Sequence, residues 1–155
     1  MNEQFGEALE AVIALSAVSE GMPLIYNGQE AGEPKRLEFF EKDPIVWSEH
    51  PIGTLYQKLF AMRRQNTALW NAKWGARMVQ VVNSAPLQVF SFVRQNEKDK
   101  VFAVFNFSDN YQSVTFKDTL FHGNYIDFSS GEEITMTQSS LLELTPWKYH
   151  IFIKV

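Results

Sequence analysis

From about Ala76 to Val155 the chain is a succession of eight short β-type runs broken by turn residues, and this pattern constrains the fold more than any other feature. The runs are Met78–Val82, Leu87–Arg94, Lys100–Phe107, Gln112–Phe116, Asn124–Phe128, Glu133–Thr137, Leu141–Leu144 and Trp147–Val155. Between them lie turn clusters such as Asn96–Asp99, Ser108-Asp109-Asn110 and Ser129-Ser130-Gly131. Even spacing of this kind predicts an antiparallel β-sandwich with Greek-key features. In the last run Trp147, Tyr149, Ile151, Ile153 and Val155 alternate with Lys148, His150 and Lys154, as a strand with one buried face requires. The run Val101–Phe107 is apolar on both faces, which predicts a central strand covered on both sides.

The first 75 residues have a different style. Phe5, Ala8, Leu9, Val12, Ile13 and Ser16 recur at helical spacing, predicting a helix over 3–19 that is apolar nearly all round in its second half. Gly21 is placed to cap it. Met22–Tyr26 reads as a short buried strand, and a helix followed by such a strand is half of a parallel αβ unit. A parallel strand needs parallel neighbours, and none follows in the sequence. Residues 27–53 are irregular and rich in charge and proline. A second helix is expected over 54–66, with Thr54 and Gln57 as a capping box. The fold expected is therefore predominantly β: residues 1–75 an incomplete α/β segment, residues 76–155 an all-β sandwich domain.

Composition excludes several functions. The net charge is −4, and the tight basic groups are the pairs Lys35-Arg36 and Arg63-Arg64, a poor footprint for nucleic acid. There is no cysteine, so disulfides, thiolate chemistry and Cys-ligated zinc are ruled out. Met1-Asn2-Glu3-Gln4 lacks a basic leader region, and the apolar run near 11–18 is too short to span a bilayer, so no membrane partner is expected.

Candidate chemistry centres on the loop after Tyr26. Glu30 and Glu33 could form the carboxyl pair that glycoside hydrolysis needs, although carboxylates three apart in a polar loop are common. His50, His122 and His150 have no metal-ligand spacing and are expected to be structural or solvated. Trp47, Trp70 and Trp74 can serve as a sugar-stacking platform or pack the seam between the two parts, and packing is the expectation.

The stretch "GMPLIYNGQEAG" resembles the eighth barrel strand and following loop of the α-amylase family, glycoside hydrolase family 13. The G-x-P-x-x-Y-x-G-x-E pattern common there is met by Gly21, Pro23, Tyr26, Gly28 and Glu30. Residues 53–70 resemble the last barrel helix. "VFAVFNFSD" (101–109), "GNYIDFSSGEE" (123–133) and "LLELTPWKYHIF" (141–152) resemble segments of that family's C-terminal sandwich. The resemblance covers nearly the whole chain, in the family's order. It implies that residues 1–75 are the end of a (β/α)8 barrel and that Tyr26, Gln29 and Glu30 border a substrate site. It also implies that the family's three catalytic carboxylates, an Asp nucleophile, a Glu acid/base and a stabilising Asp, lie on earlier strands. No catalytic residue, cofactor or metal ligand is then assigned to this chain, and a calcium site of the parent would draw on earlier segments. The parent would act on α-glucosidic bonds of starch-type glucans, with this chain inactive alone. Residues 31–50 are less regular than the matching motifs, so specificity does not carry over. The alternative is a carbohydrate-binding module using Trp47, Trp70 or Trp74. A bare barrel remnant also predicts self-association, or folding of the first helix back onto the sandwich.

Overall fold

The computed structural model describes residues 5–35, 37–38 and 40–155. The first two residues of the expected helix and Arg36 of the Lys35-Arg36 pair lie outside these. Helix α1 is Leu9–Val18, led in by a 3-10 turn over Gly6–Ala8, and helix α2 is Pro51–Gln65. The strands are β1 Met78–Gln80, β2 Val89–Gln95, β3 Lys100–Asn106, β4 Gln112–Val114, β5 Gly123–Asp127, β6 Glu133–Met136, β7 Leu142–Leu144 and β8 Tyr149–Lys154. Each expected β run overlaps one of them, with β2 running one residue past its expected end and β5 starting one residue early.

The strands form two antiparallel sheets of unequal size. One has the order β1-β2-β3-β8-β5-β6, and the other pairs β4 with β7. The crossover that brings β8 between β3 and β5 makes the arrangement Greek-key in type. Its register sets Val101 opposite Ile153, Phe102 opposite Phe152 and Ala103 opposite Ile151. Because side chains alternate across a strand, β3 feeds two cores. Val101, Ala103 and Phe105 join Phe92, Tyr149 and Ile151 under the helices. Phe102 and Val104 join Phe152, Val114, Phe116, Phe121 and Leu144 beneath the small sheet. This is the physical meaning of the doubly apolar run: β3 is buried along its whole length.

Helix α1 has Leu9, Ala11, Ile13, Ala14, Ala17 and Val18 buried, shared between α2 and the sheet. Its all-round apolarity is thus met by lying back on the sandwich. The helix ends earlier than Gly21 would set: Ser19 is extended, and Gly21 turns the chain at φ +104° two residues later. The end needs no glycine cap because arginine side chains take its last carbonyls, as described below. Helix α2 starts three residues before its expected Thr54 cap. Pro51 occupies the first turn, where its missing N–H costs nothing, and His50 Nδ1 accepts the Ile52 N–H at 3.2 Å.

The expected strand at Met22–Tyr26 does not form. The segment has no regular secondary structure and pairs with no strand, since every strand pairing among the described residues is antiparallel and involves later residues. Met22 and Leu24 are 81% and 80% exposed, alternating with half-buried Pro23 and Ile25. A strand is defined by its neighbour's hydrogen bonds, and this chain supplies no parallel neighbour.

The turn after β5 is held by Asp127. Its Oδ1 accepts the N–H groups of Ser129 (2.8 Å) and Ser130 (3.0 Å), and its Oδ2 lies 2.6 Å from His150 Nδ1. Burial pushes the Asp127 carboxyl up, but the bonds from His150 and the two serine amides outweigh it and hold it below the usual carboxylate range. A depressed carboxyl stabilises the fold above about pH 4 and loses that contribution as pH falls further. Urea midpoints measured from pH 6 to pH 2 are expected to fall more steeply below pH 4 in the wild type than in Asp127→Asn. Parallel curves would remove Asp127 from the account.

Candidate functional site

The loop Tyr26–Glu33 is a compact double turn. Gln29 and Gly32 N–H groups bond back to Tyr26 and Gln29 carbonyls at 3.0 Å, and Glu33 N–H reaches Gly28 O at 3.0 Å. Gly28 and Gly32 take φ of +94° and +71°, which only glycine adopts without strain. The loop sits on the start of α2 at two bare Cα positions. A Cβ on Gly53 would lie 2.7 Å from Glu30 O, and one on Gly32 would strike the His50 ring at 2.5 Å. The glycines therefore set how closely the loop approaches the helix.

The side chains expected at the rim are brought together by this packing. Gln29 Oε1 accepts the Tyr26 N–H at 3.0 Å and the Tyr56 hydroxyl at 3.4 Å. Burial, and then the nearby Glu30 carboxylate, push the Tyr56 hydroxyl up, so it stays a donor at neutral pH. Glu30 Oε2 accepts the Gly28 N–H at 3.1 Å. The Tyr26 ring is 55% exposed and faces solvent. Gln29 and Glu30 thus spend side-chain oxygens on the shape of the loop, leaving Tyr26 as its open aromatic surface. Glu30 and Glu33 do not work on a common point: Glu33 Oε1 is turned to the Lys35 N–H at 3.5 Å. Farther along, Lys35 bonds Asp43, whose Oδ2 also accepts the Glu38 N–H at 3.0 Å. This hydrogen bond from Lys35 holds Asp43 below the usual carboxylate range.

Among the described residues no group of three or more His, Asp or Glu side chains is placed to hold a metal ion. The histidines are in separate places. His50 caps α2, His150 meets Asp127 and stacks on Phe152 at 5.3 Å, and His122 lies edge-on to Phe121 at 4.7 Å. No helix among the described residues is long and apolar enough to cross a membrane.

The tryptophans do not fill the seam between helices and sheet. Trp47 and Trp74 are 59% and 67% exposed, and Trp70, pinned by its Nε1–H to Arg64 O at 3.3 Å, is 42% exposed. The seam is filled instead by aliphatic residues of α1 and α2 and by two arginines: Arg63, one of the basic pair seen in the sequence, and Arg94, which sequence reasoning did not single out. Arg94, on β2 and 1% exposed, donates through Nε to Ala76 O (2.9 Å) and through Nη1 to Val18, Ser19 and Leu69 O (3.1, 2.8 and 3.4 Å). Its Nη2 donates to Trp70 O at 2.8 Å. Arg63, on α2, donates to Ala17 O at 2.6 Å and to Gly21 O and Asn71 Oδ1. Together they satisfy the carbonyls at the end of α1, where cations are favoured, and fix the entry to Met22. Burial, and then Arg63, push the Arg94 guanidinium down to about 10, with Glu20 opposing, so it remains charged at neutral pH. One signal was legible: Arg94 is the one charged residue of the expected β run Leu87–Arg94.

Comparison with known proteins agrees with this architecture. Residues 81–147 match the family described as the α-amylase C-terminal all-beta domain. The chain is 23% identical over 149 residues to α-amylase 2 of Dictyoglomus thermophilum, a match covering 86% of this chain and 23% of that protein. Among solved structures, a noncanonic maltogenic α-amylase of Thermotoga neapolitana superposes with a TM-score of 0.80 at 21% identity, over 97% of this chain and 37% of that one. A cyclomaltodextrin glucanotransferase with a three-domain organisation superposes with a TM-score of 0.74 at 21% identity, over 96% of this chain and 32% of the other. The chain therefore spans about a quarter to a third of the length of these relatives. Residues 81–147 thus match the α-amylase C-terminal all-beta domain, and the chain as a whole shares the fold of the C-terminal portion of these α-amylase-type structures, helices and sandwich together.

Proposed function

We propose that the chain is the supporting C-terminal part of a hydrolase acting on α-glucosidic bonds of starch-type glucans, and is catalytically inactive by itself. In this reading residues 1–75 close a barrel and residues 76–155 form the sandwich that braces it. Tyr26, Gln29 and Glu30 edge the substrate cleft, with the exposed Tyr26 ring offered to a sugar face. The observation that carries the reading is the match of helices, rim loop and sandwich together to a maltogenic α-amylase over 97% of the chain. The committed hydrogen bonds of Glu30 and Glu33 support inactivity, because neither carboxyl is placed as an acid/base partner of the other. Retaining hydrolysis needs two carboxyl groups about 5–5.5 Å apart across the scissile bond. The purified chain is expected to release no reducing sugar from soluble starch or maltooligosaccharides. Turnover that co-purifies with the chain to homogeneity would overturn this.

The same reading has a consequence for association. Met22, Leu24 and Tyr26 expose apolar surface on a segment that pairs with no strand, the kind of surface that recruits another chain. We expect concentration-dependent self-association in sedimentation velocity, weakened by Leu24→Lys. A single monomeric species at every concentration, unaltered by that substitution, would contradict it.

A further inference from the structure

A cavity of about 560 Å³ opens where the end of α1 meets the Trp70–Gly75 turn, sharing no lining residue with the rim loop. Its charged lining is unbalanced. Lys73, Arg77 and Arg94 face one carboxylate, Glu20, whose Oε1 already accepts the Met78 N–H at 2.5 Å. Behind the wall lies a further cation, Arg63, whose partners are three backbone carbonyls and an amide oxygen rather than a carboxylate. The carbonyls at a helix C-terminus carry about half a negative charge in total, too little to neutralise two guanidinium groups.

Donor counting shows where a ligand would be held. A guanidinium has five N–H groups. Nε of Arg94 uses one on Ala76 O, Nη1 shares two among three carbonyls, and Nη2 spends one of its two on Trp70 O. One Nη2–H of this almost wholly buried side chain is left over. The space beside it is kept open by Gly75, which also lines the cavity. A Cβ there would sit 3.0 Å from Arg94 Nη2 and would collide with Trp70 O. At the mouth, Lys73 and Arg77 are exposed, and the Lys73 ammonium lies over the Trp74 ring at 4.7 Å. Charge-assisted bonds from a buried guanidinium and two exposed cations are the chemistry that recognises a tetrahedral oxyanion.

We propose that this cavity binds a small oxyanion of the phosphate or sulfate type, held by the spare Nη2–H of Arg94 and by Lys73 and Arg77. The test is titration of the chain with inorganic phosphate at constant ionic strength, with chloride as the balancing ion, followed by calorimetry and by phosphorus NMR line width. A saturable one-site response is expected. The double variant Lys73→Ala/Arg77→Ala, altered only at exposed positions, is expected to weaken binding about tenfold or more, as loss of a charge-assisted bond implies. Should that variant melt early, Arg77→Gln carries the same comparison. A response that never saturates, or equal affinity in wild type and a folded variant, would overturn the assignment.

Discussion

Arg94→Met is expected to cost about 3–5 kcal/mol, among the largest effects of any single substitution in the chain. The substitution keeps much of the aliphatic volume but strips donors from the carbonyls of Val18, Ser19, Leu69, Trp70 and Ala76 at once. Each buried carbonyl left without a partner costs about 1–3 kcal/mol, reduced where water reaches it. For a domain of this size that loss corresponds to a melting temperature lower by roughly 6–20 °C. Arg94→Lys should recover little, because a point charge on a flexible stem cannot serve five acceptors spread around a planar fork. Thermal melts check the magnitude, and hydrogen exchange locates it: the last turn of α1 should open well before β3. A melting temperature within about 2 °C of wild type would show that the arginine is not what holds the helix to the sheet.

Phe102→Ala is the second. Phe102 is fully buried at the middle of β3 and touches four rings, with centroids of Phe116, Phe121, Phe152 and Tyr125 at 5.1, 5.5, 5.8 and 6.5 Å. The Phe116 contact is edge-on, at 82°. Removing the ring opens a void between the large sheet and the β4–β7 sheet, and truncations of this kind cost about 3–5 kcal/mol. Leu87, 92% exposed on the turn before β2, is the internal control. Leu87→Ala should stay within about 0.5 kcal/mol. Chemical denaturation of both variants decides the point, and a Phe102→Ala loss no larger than that of Leu87→Ala would mean the aromatic cluster does not organise the second core.

The two substitutions probe opposite faces of one sheet. Arg94 ties β2 to the helices, and Phe102 ties β3 to the small sheet. Their side chains share no partner residue in the hydrogen bonds and ring contacts above, but the two residues stand on directly paired strands, so the double variant measures whether the two cores couple through the sheet.

Much of the β region was legible because its information is local. Alternation along β8 and the turn residues between runs are properties of neighbouring residues, and each of the eight expected runs overlaps a strand. The two-sided burial of β3 was legible for the same reason: a strand apolar on both faces must have cover on both. The rim loop was legible as a loop, with Gly28 and Gly32 marking its turns. What was not legible depended on partners far away in sequence. Whether Met22–Tyr26 becomes a strand depends on a neighbour that the chain does not provide. Whether Trp47, Trp70 and Trp74 pack or stay exposed depends on how helix and sheet meet, and aliphatic side chains had already filled that seam.

By itself, then, the sequence determined the number and order of the strands, their antiparallel pairing style and the nearly all-apolar character of α1, because these follow from backbone sterics and side-chain period. The tertiary structure decided the six-plus-two division of the sheets, the start of α2 at Pro51 and the burial of Arg94. It alone could do so, since each depends on which unsatisfied backbone groups end up side by side. The carbonyls that Arg94 serves come from residues 18 to 76, and only folding places them around one guanidinium.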